Sequence, residues 1–267
     1  MEKITSRKNP ICIHMKKLGE NRSYRYESGE YLCDGVKLLE EAVAGEVAIC
    51  SVITAVDIPF PLPLNTRVYY STQSLINSIS PLSNAQSLLF TCLIPEESEV
   101  SLASGAHILL DRVQDPGNVG TIIRTAFAFG IDTVLLTDGC ADLYNPKTIR
   151  ASMGAVFKQK TCRIDPPELA TENSGCLSGR DKPACKRPIG ARIIGASLDK
   201  CCKDVSEVDF ANSIIAIGSE GDGLSDDILS LCDEKVTIPI DPACQSLNAA
   251  VAAAILMWEA MGKLRGI

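Results

Sequence analysis

The sequence predicts an α/β protein of two domains, the second built on a mainly parallel sheet. At 267 residues, 46% of them apolar, the chain exceeds an ordinary single domain and has the apolar residues to build real cores. Short β-branched runs alternate with segments of helical spacing in both halves, the pattern of α/β folds. Runs such as "HILLD" and "SIIAIG" lack polar alternation, as expected of strands buried on both faces of a parallel sheet.

A basic, Tyr-containing segment comes first, with seven Lys or Arg against two Glu in residues 1–25. In "YLCDGVKLLEEAVAGEV" an extended piece turns at Asp34 and Gly35 into helical spacing through Val36, Leu39, Ala42 and Val43. "AICSVITAV" and "TRVYYST" read as strands around the Pro-rich "DIPFPLPLN", completing a small domain over residues 1–97. The polar, aperiodic "IPEESEVSLASG" holds the linker, residues 98–105. The second domain, 106–267, follows: strand "HILLD", helix "NVGTIIRTAFAFG", strand "DTVLLTD", helix "NPKTIRASMG", strands "RIIGAS", "SIIAIG" and "KVTIPI", and a last helix opened by Ser246. Residues 165–190 lack any period and read as a flexible insertion.

A formal charge of −7 argues against a chain that coats nucleic acid indiscriminately, although the N-terminal patch is basic. Twelve cysteines without a signal peptide, dense spacing or a CxxC pair indicate a reduced, cytoplasmic protein rather than a disulfide framework. With only His14 and His107, no metal site is expected. No apolar run reaches the roughly 18 residues of a membrane span.

Ligands of open parallel sheets bind beyond the carboxyl ends of strands, which singles out three loops. "DRVQDPGNVGTIIR" follows the first strand; as plain helix-start chemistry, Asp115, Pro116 and Gly117 turn the chain and Asn118 caps the helix. "GSEGDGLS" exposes backbone amides at Gly218, Gly221 and Gly223, but is neither a Walker A loop nor a GxSxG elbow. GxGxxG is absent, which disfavours a nicotinamide oxidoreductase. "IPIDPACQSLNAAVAAAILMWEA" runs from strand through a Pro-containing loop into an Ala-rich helix. Each loop alone has an ordinary structural explanation; three in one domain are harder to dismiss.

Together, "DxxxDPxNxGxxxRxA", "GSEGxG" and "IPIxxxxxSLNxxxAxAIxxWE" resemble the three motifs of the SpoU, or TrmH, class of RNA ribose methyltransferases in the SPOUT superfamily. "ITSRKNP" and "YLCDGVKLLEEA" resemble the substrate-binding domain that precedes the catalytic domain in many members. The resemblance implies a small α/β (L30e-like) RNA-binding domain followed by a parallel sheet with a trefoil knot. It implies transfer of a methyl group from S-adenosylmethionine to a ribose 2′-hydroxyl of structured RNA by a homodimer joined through the catalytic domain. Ribosomal RNA, 23S in particular, is favoured over transfer RNA by the separate N-terminal domain. A noncatalytic RNA-binding protein of the same fold is the alternative of another class.

By motif position, the resemblance places Gly218, Ile238 and Leu247 around the cofactor, with Thr137 and Ser219 as further lining. Arg124 is implied beside the reacting ribose, with Asn118, Glu220, Ser246 and Asn248 around it. As a permanent cation Arg124 suits ribose positioning and alkoxide stabilisation better than general-base work, and the proton acceptor stays unassigned. No metal is implied, because a sulfonium already activates the methyl group. Arg7, Lys8, Arg22, Arg25, Lys147 and Arg150 are the expected RNA contacts. Two departures fall in the third motif, where Pro242 and Gln245 stand in place of the frequent Gly and Glu.

Overall fold

The computed structural model describes residues 2–96, 102, 105–169, 191–199 and 201–265. The chain divides into two compact units, one formed by residues up to Glu96 with Asp142–Lys158, the other by the remainder. Of the expected linker at 98–105 only residues 102 and 105 are described. Of the expected insertion at 165–190 only 165–169 are, and Pro166–Leu169 there form a short helix.

The first unit begins with β1 (Glu2–Lys3), α1 (Pro10–Glu20) and α2 (Arg22–Ser28), two helices that the reading of a charged segment missed. The Asn9 side chain caps α1, with Pro10 at the position where a missing N–H costs least. Cys12, Met15 and Leu18 recur every three residues and are buried, which turns the lysines of α1 outward. In α2 the single buried residue is Arg25. There follow β2 (Glu30–Asp34), α3 (Val36–Ala44), β3 (Ile49–Thr54), β4 (Arg67–Tyr70), α4 (Gln73–Ile79) and β5 (Leu88–Leu93). The sheet order is β1-β4-β3-β5-β2, with β5 antiparallel to both its neighbours and the other pairs parallel. Alternate strand residues feed two cores: Tyr31, Cys33, Leu88 and Phe90 pack in one, Leu32, Ile53 and Leu89 in the other.

The second unit starts with β6 (Ala106–Leu110), α5 (Pro116–Phe129) and β7 (Thr133–Leu136). The chain then returns to the first unit for α6 (Pro146–Ser152), where Ile149 is buried with Tyr31, Cys33 and Leu39. The stretch 106–267, expected to be one domain, is therefore interrupted at 142–158. Back in the second unit run β8 (Thr161–Arg163), α7 (Pro166–Leu169), β9 (Arg192–Ala196), β10 (Lys203–Asp204), β11 (Ser213–Ile217), α8 (Asp226–Leu231), β12 (Glu234–Thr237) and α9 (Ala249–Arg265). All neighbouring strands are parallel, in the order β10-β12-β9-β11-β6-β7-β8. As their apolar sequences demand, β6, β7 and β11 are buried along their whole length.

Strand order reverses beside β6: β7 and β8 lie on one side, and β11, β9, β12 and β10 on the other. Loops leaving β6 and β11 consequently stand side by side at the carboxyl edge, with the Asp111 N–H donating to the Ile217 carbonyl at 2.8 Å. Such a reversal opens a crevice in an α/β sheet. The ten described cysteines are free thiols. Among the described residues no helix is long and apolar enough to cross a membrane, and no group of His, Cys, Asp or Glu is arranged to hold a metal ion.

Candidate active site

The loop after β11 is a tight turn closed by two backbone hydrogen bonds between Ser219 and Gly223, both 3.1 Å. A Cβ on Gly218 would lie 2.0 Å from the Gly223 carbonyl carbon and 2.3 Å from the Leu224 nitrogen, so no side chain fits. Gly223 has φ +69°, the left-handed region natural to glycine. These two glycines make the turn that carries Glu220. Behind the loop, buried Asp111 accepts from the Ser225 N–H at 2.6 Å and from the Thr137 hydroxyl at 3.0 Å. One carboxylate thus ties the glycine loop to the ends of β6 and β7. Sequence reading quoted Asp111 within a motif without assigning it a task.

Asp115, rather than the expected Asn118, caps α5, accepting the Asn118 N–H at 2.9 Å. Asn118 is left in the first turn with its amide free to act elsewhere. At the other helix the expected opener Ser246 is also displaced: α9 begins at Ala249, and Asn248 Oδ1 accepts from the N–H groups of Ala250 (3.0 Å) and Val251 (3.3 Å). Both differences serve one cluster. Asn118 Nδ2 donates to Glu220 Oε1 at 2.7 Å, and Asn248 Nδ2 donates to the same oxygen at 2.5 Å and to Asn118 Oδ1 at 3.1 Å. Three residues, from the first turn of α5, the loop after β11 and the start of α9, therefore converge on a single polar knot.

Beside this knot lies a cavity of about 560 Å³, walled by Gly218, Ser219, Glu220, Ile238, Ser246 and Leu247 among others. Six expected residues line it together, and Gln245, one of the two departures, lines it too. Thr137 does not; it is buried, and its hydroxyl, besides donating to Asp111, accepts from the Arg112 N–H at 3.1 Å. It stands at the end of β7, beyond the strand-order reversal. Ser197, Leu198 and Asp199 also line the cavity and were overlooked, although they directly follow the run "RIIGA". Hydrogen bonds from Lys235 and Ser197 hold the Asp199 carboxyl below the usual carboxylate range. Arg124, on α5, is exposed and carries no side-chain bond to the polar knot.

In the first unit, four of the six cations expected to meet RNA are exposed: Arg7, Lys8, Arg22 and Lys147. Arg150 is half-buried and donates to the Asn84 carbonyl at 3.0 Å. Arg25 is not available at all. It is 3% exposed, its Nε and Nη2 donate to Asp142 Oδ2 at 2.9 and 2.5 Å, and its Nη1 donates to the Leu18 carbonyl at 2.7 Å. The assignment of Arg25 to RNA is overturned by this buried ion pair.

Comparison with known proteins bears on the same residues. Residues 105–258 match the model of the SpoU rRNA Methylase family. The 23S rRNA (guanosine(2553)-2′-O)-methyltransferase RlmP of Bacillus subtilis is 30% identical over 98% of this chain and 100% of its own. Among solved structures, a TrmH-family protein of Porphyromonas gingivalis is 31% identical, covering 93% of this chain and 96% of its own with a TM-score of 0.78. The SpoU methyltransferase AviRb of Streptomyces viridochromogenes, solved with AdoMet, is 25% identical, covering 97% of this chain and 99% of its own with a TM-score of 0.79. The family match runs through all three loops that build the cavity and its polar knot, and the chain belongs to the SpoU rRNA Methylase family.

Proposed function

We propose that this protein is an S-adenosylmethionine-dependent RNA (ribose-2′-O)-methyltransferase acting in the cytoplasm on 23S ribosomal RNA. The observation that carries this reading is the meeting of Asn118, Glu220 and Asn248 at the edge of the cavity. Family membership and relatives named for 2′-O methylation of 23S rRNA support it.

The cavity suits the cofactor on its own chemistry. About 560 Å³ is the size of a small-molecule site, Ile238 and Leu247 offer apolar walls to an adenine, and Ser219 and the Gly218 backbone offer polar atoms beside them. When bound, S-adenosylmethionine supplies a methyl group already activated on a sulfonium. The chain's own residues have the remaining tasks. Asn118, Glu220 and Asn248 hold one another in place before RNA arrives, so a ribose meets fixed donors and acceptors rather than mobile ones. Ser246 borders the same space. Arg124, always charged, orients the ribose and its phosphate and stabilises the developing alkoxide.

The fold reading extends to a C-terminal trefoil knot and an L30e-like first unit whose Arg7, Lys8, Arg22 and Lys147 contact RNA phosphates. We assign the dimer contact to a second copy of this chain on α5 and α9. These helices pack together and still leave Phe127 46%, Val251 48% and Trp258 64% exposed.

Two tests follow. A 2′-O-methyl map of RNA from cells lacking the protein should lose one site in 23S rRNA; loss in transfer RNA instead would reassign the substrate, and no lost site would remove the activity. Gly218→Ala forces Cβ into the 223–224 backbone, so calorimetry should find S-adenosylmethionine affinity lowered at least about tenfold, the loop having to move from the cavity wall.

A further inference from the structure

We propose that Tyr26, with the Arg22 cation over its ring, is a stacking site for an unpaired base of the RNA; this rests on the RNA-methyltransferase reading and names how the first unit grips its substrate. The two residues stand one turn apart on α2, and the Arg22 guanidinium lies 5.7 Å from the Tyr26 ring centroid.

An exposed tyrosine ordinarily swings between rotamers, and ordering it costs entropy. Tyr26 does not have that freedom. Its hydroxyl donates to Asp142 Oδ1 at 2.8 Å, and Asp142 is itself held by buried Arg25. Its ring meets Tyr144 edge-on at 6.2 Å, and Tyr144 packs on buried Tyr31 at 4.7 Å. A row of three rings thus runs outward from the core and ends in Tyr26, which remains 42% exposed. Packing has fixed this side chain while leaving part of it at the surface.

The surroundings select the ligand. Exposed Lys147 follows Tyr144 by three residues at the start of α6. The Arg22 cation over a pinned aromatic ring suits a polyanion that also presents flat faces. In a duplex the base faces are hidden in the stack, whereas loops and bulges expose them to aromatic rings and to arginine planes. The ligand class is therefore single-stranded RNA, bound by stacking with little sequence preference.

The test measures affinity of the full-length protein for a 23S rRNA transcript across a salt series. Tyr26→Leu should weaken binding about 5- to 100-fold, the range one stacked base carries, with an unchanged slope of log affinity against log salt. Tyr26→Phe keeps the ring and should recover most of the affinity. Lys147→Ala should instead lower the slope by about one. Arg22→Ala, at an exposed position, is the second route should Tyr26→Leu misfold; it should weaken binding by more than its slope change accounts for. Affinity unchanged in Tyr26→Leu, or in Arg22→Ala beyond its charge, overturns the stacking site. If wild type methylates neither 23S nor transfer RNA while Tyr26 still governs binding, the proposed function fails and the stacking site stands.

Discussion

Arg25→Ala is expected to destabilise the first unit by about 3–5 kcal/mol, the cost of leaving one buried charge without its partner. Arg25 and Asp142 side chains are 4% and 6% exposed, so water cannot replace the lost contact and salt screens it little. The carboxylate left behind would keep Tyr26 on Oδ1, but both guanidinium bonds on Oδ2 would vanish, and the Leu18 carbonyl would lose its donor. The pair also joins positions 117 residues apart, tying α2 to the segment that returns from β7. Urea unfolding followed by circular dichroism measures the effect. Arg25→Met with Asp142→Leu should lose much less than Arg25→Ala, because removing both charges leaves none stranded. A loss below about 1 kcal/mol for Arg25→Ala would show the pair to be no more than a surface bridge.

That arginine also marks where sequence reading stops. A count of cations near the N-terminus locates a basic segment, yet which cation is folded inward depends on Asp142, far along the chain. In α2 the only inward residue is charged, so no apolar spacing announces the helix. In α1 the spacing of Cys12, Met15 and Leu18 was present and was outweighed by the surrounding lysines. The loops of the second unit were legible because strand ends, glycines and Asx-Pro pairs are local signals. Asp115-Pro116 opens a helix there, as Asn9-Pro10 and Asn145-Pro146 do in the first unit. Which Asx or Ser does the capping was not local. Ser246 and Asn248 are both suitable caps by type. The structure gives the cap to Asn248, whose other amide atom bonds Glu220. Thr137 shows the same limit: it ends an apolar run as Ile217 does, but only strand order reveals that its run lies on the far side of β6 from β11. For Gly218 the expected reason, exposed backbone beside the cofactor, is joined by a stricter one internal to the loop.

On the proposed role, Arg124→Ala is expected to lower the rate of methyl transfer at saturating RNA and cofactor by about 100- to 1000-fold, the order of loss when one donor that stabilises developing negative charge is removed. Stability should hardly change. Arg124 is exposed, and among the described residues its side chain makes no hydrogen bond or ion pair, so truncation should cost within about 0.5 kcal/mol. Loss of turnover with an unchanged unfolding midpoint would then be chemical rather than structural. Six residues along α5 place Arg124 about 9 Å beyond Asn118 and roughly 240° around the helix, so the two cannot act as one stripe. Asn118 is bonded to Glu220 and Asn248, whereas the Arg124 side chain has no bond to either, and the proposed role puts it on the RNA side. Arg124→Lys separates charge from shape: a lysine keeps the cation but not the planar fork, and should restore only part of the rate. RNA affinity should fall no more than about threefold in Arg124→Ala, as one phosphate contact among several. Single-turnover transfer of labelled methyl groups measures the rate, and a rate within threefold of wild type for Arg124→Ala would remove Arg124 from the chemistry altogether.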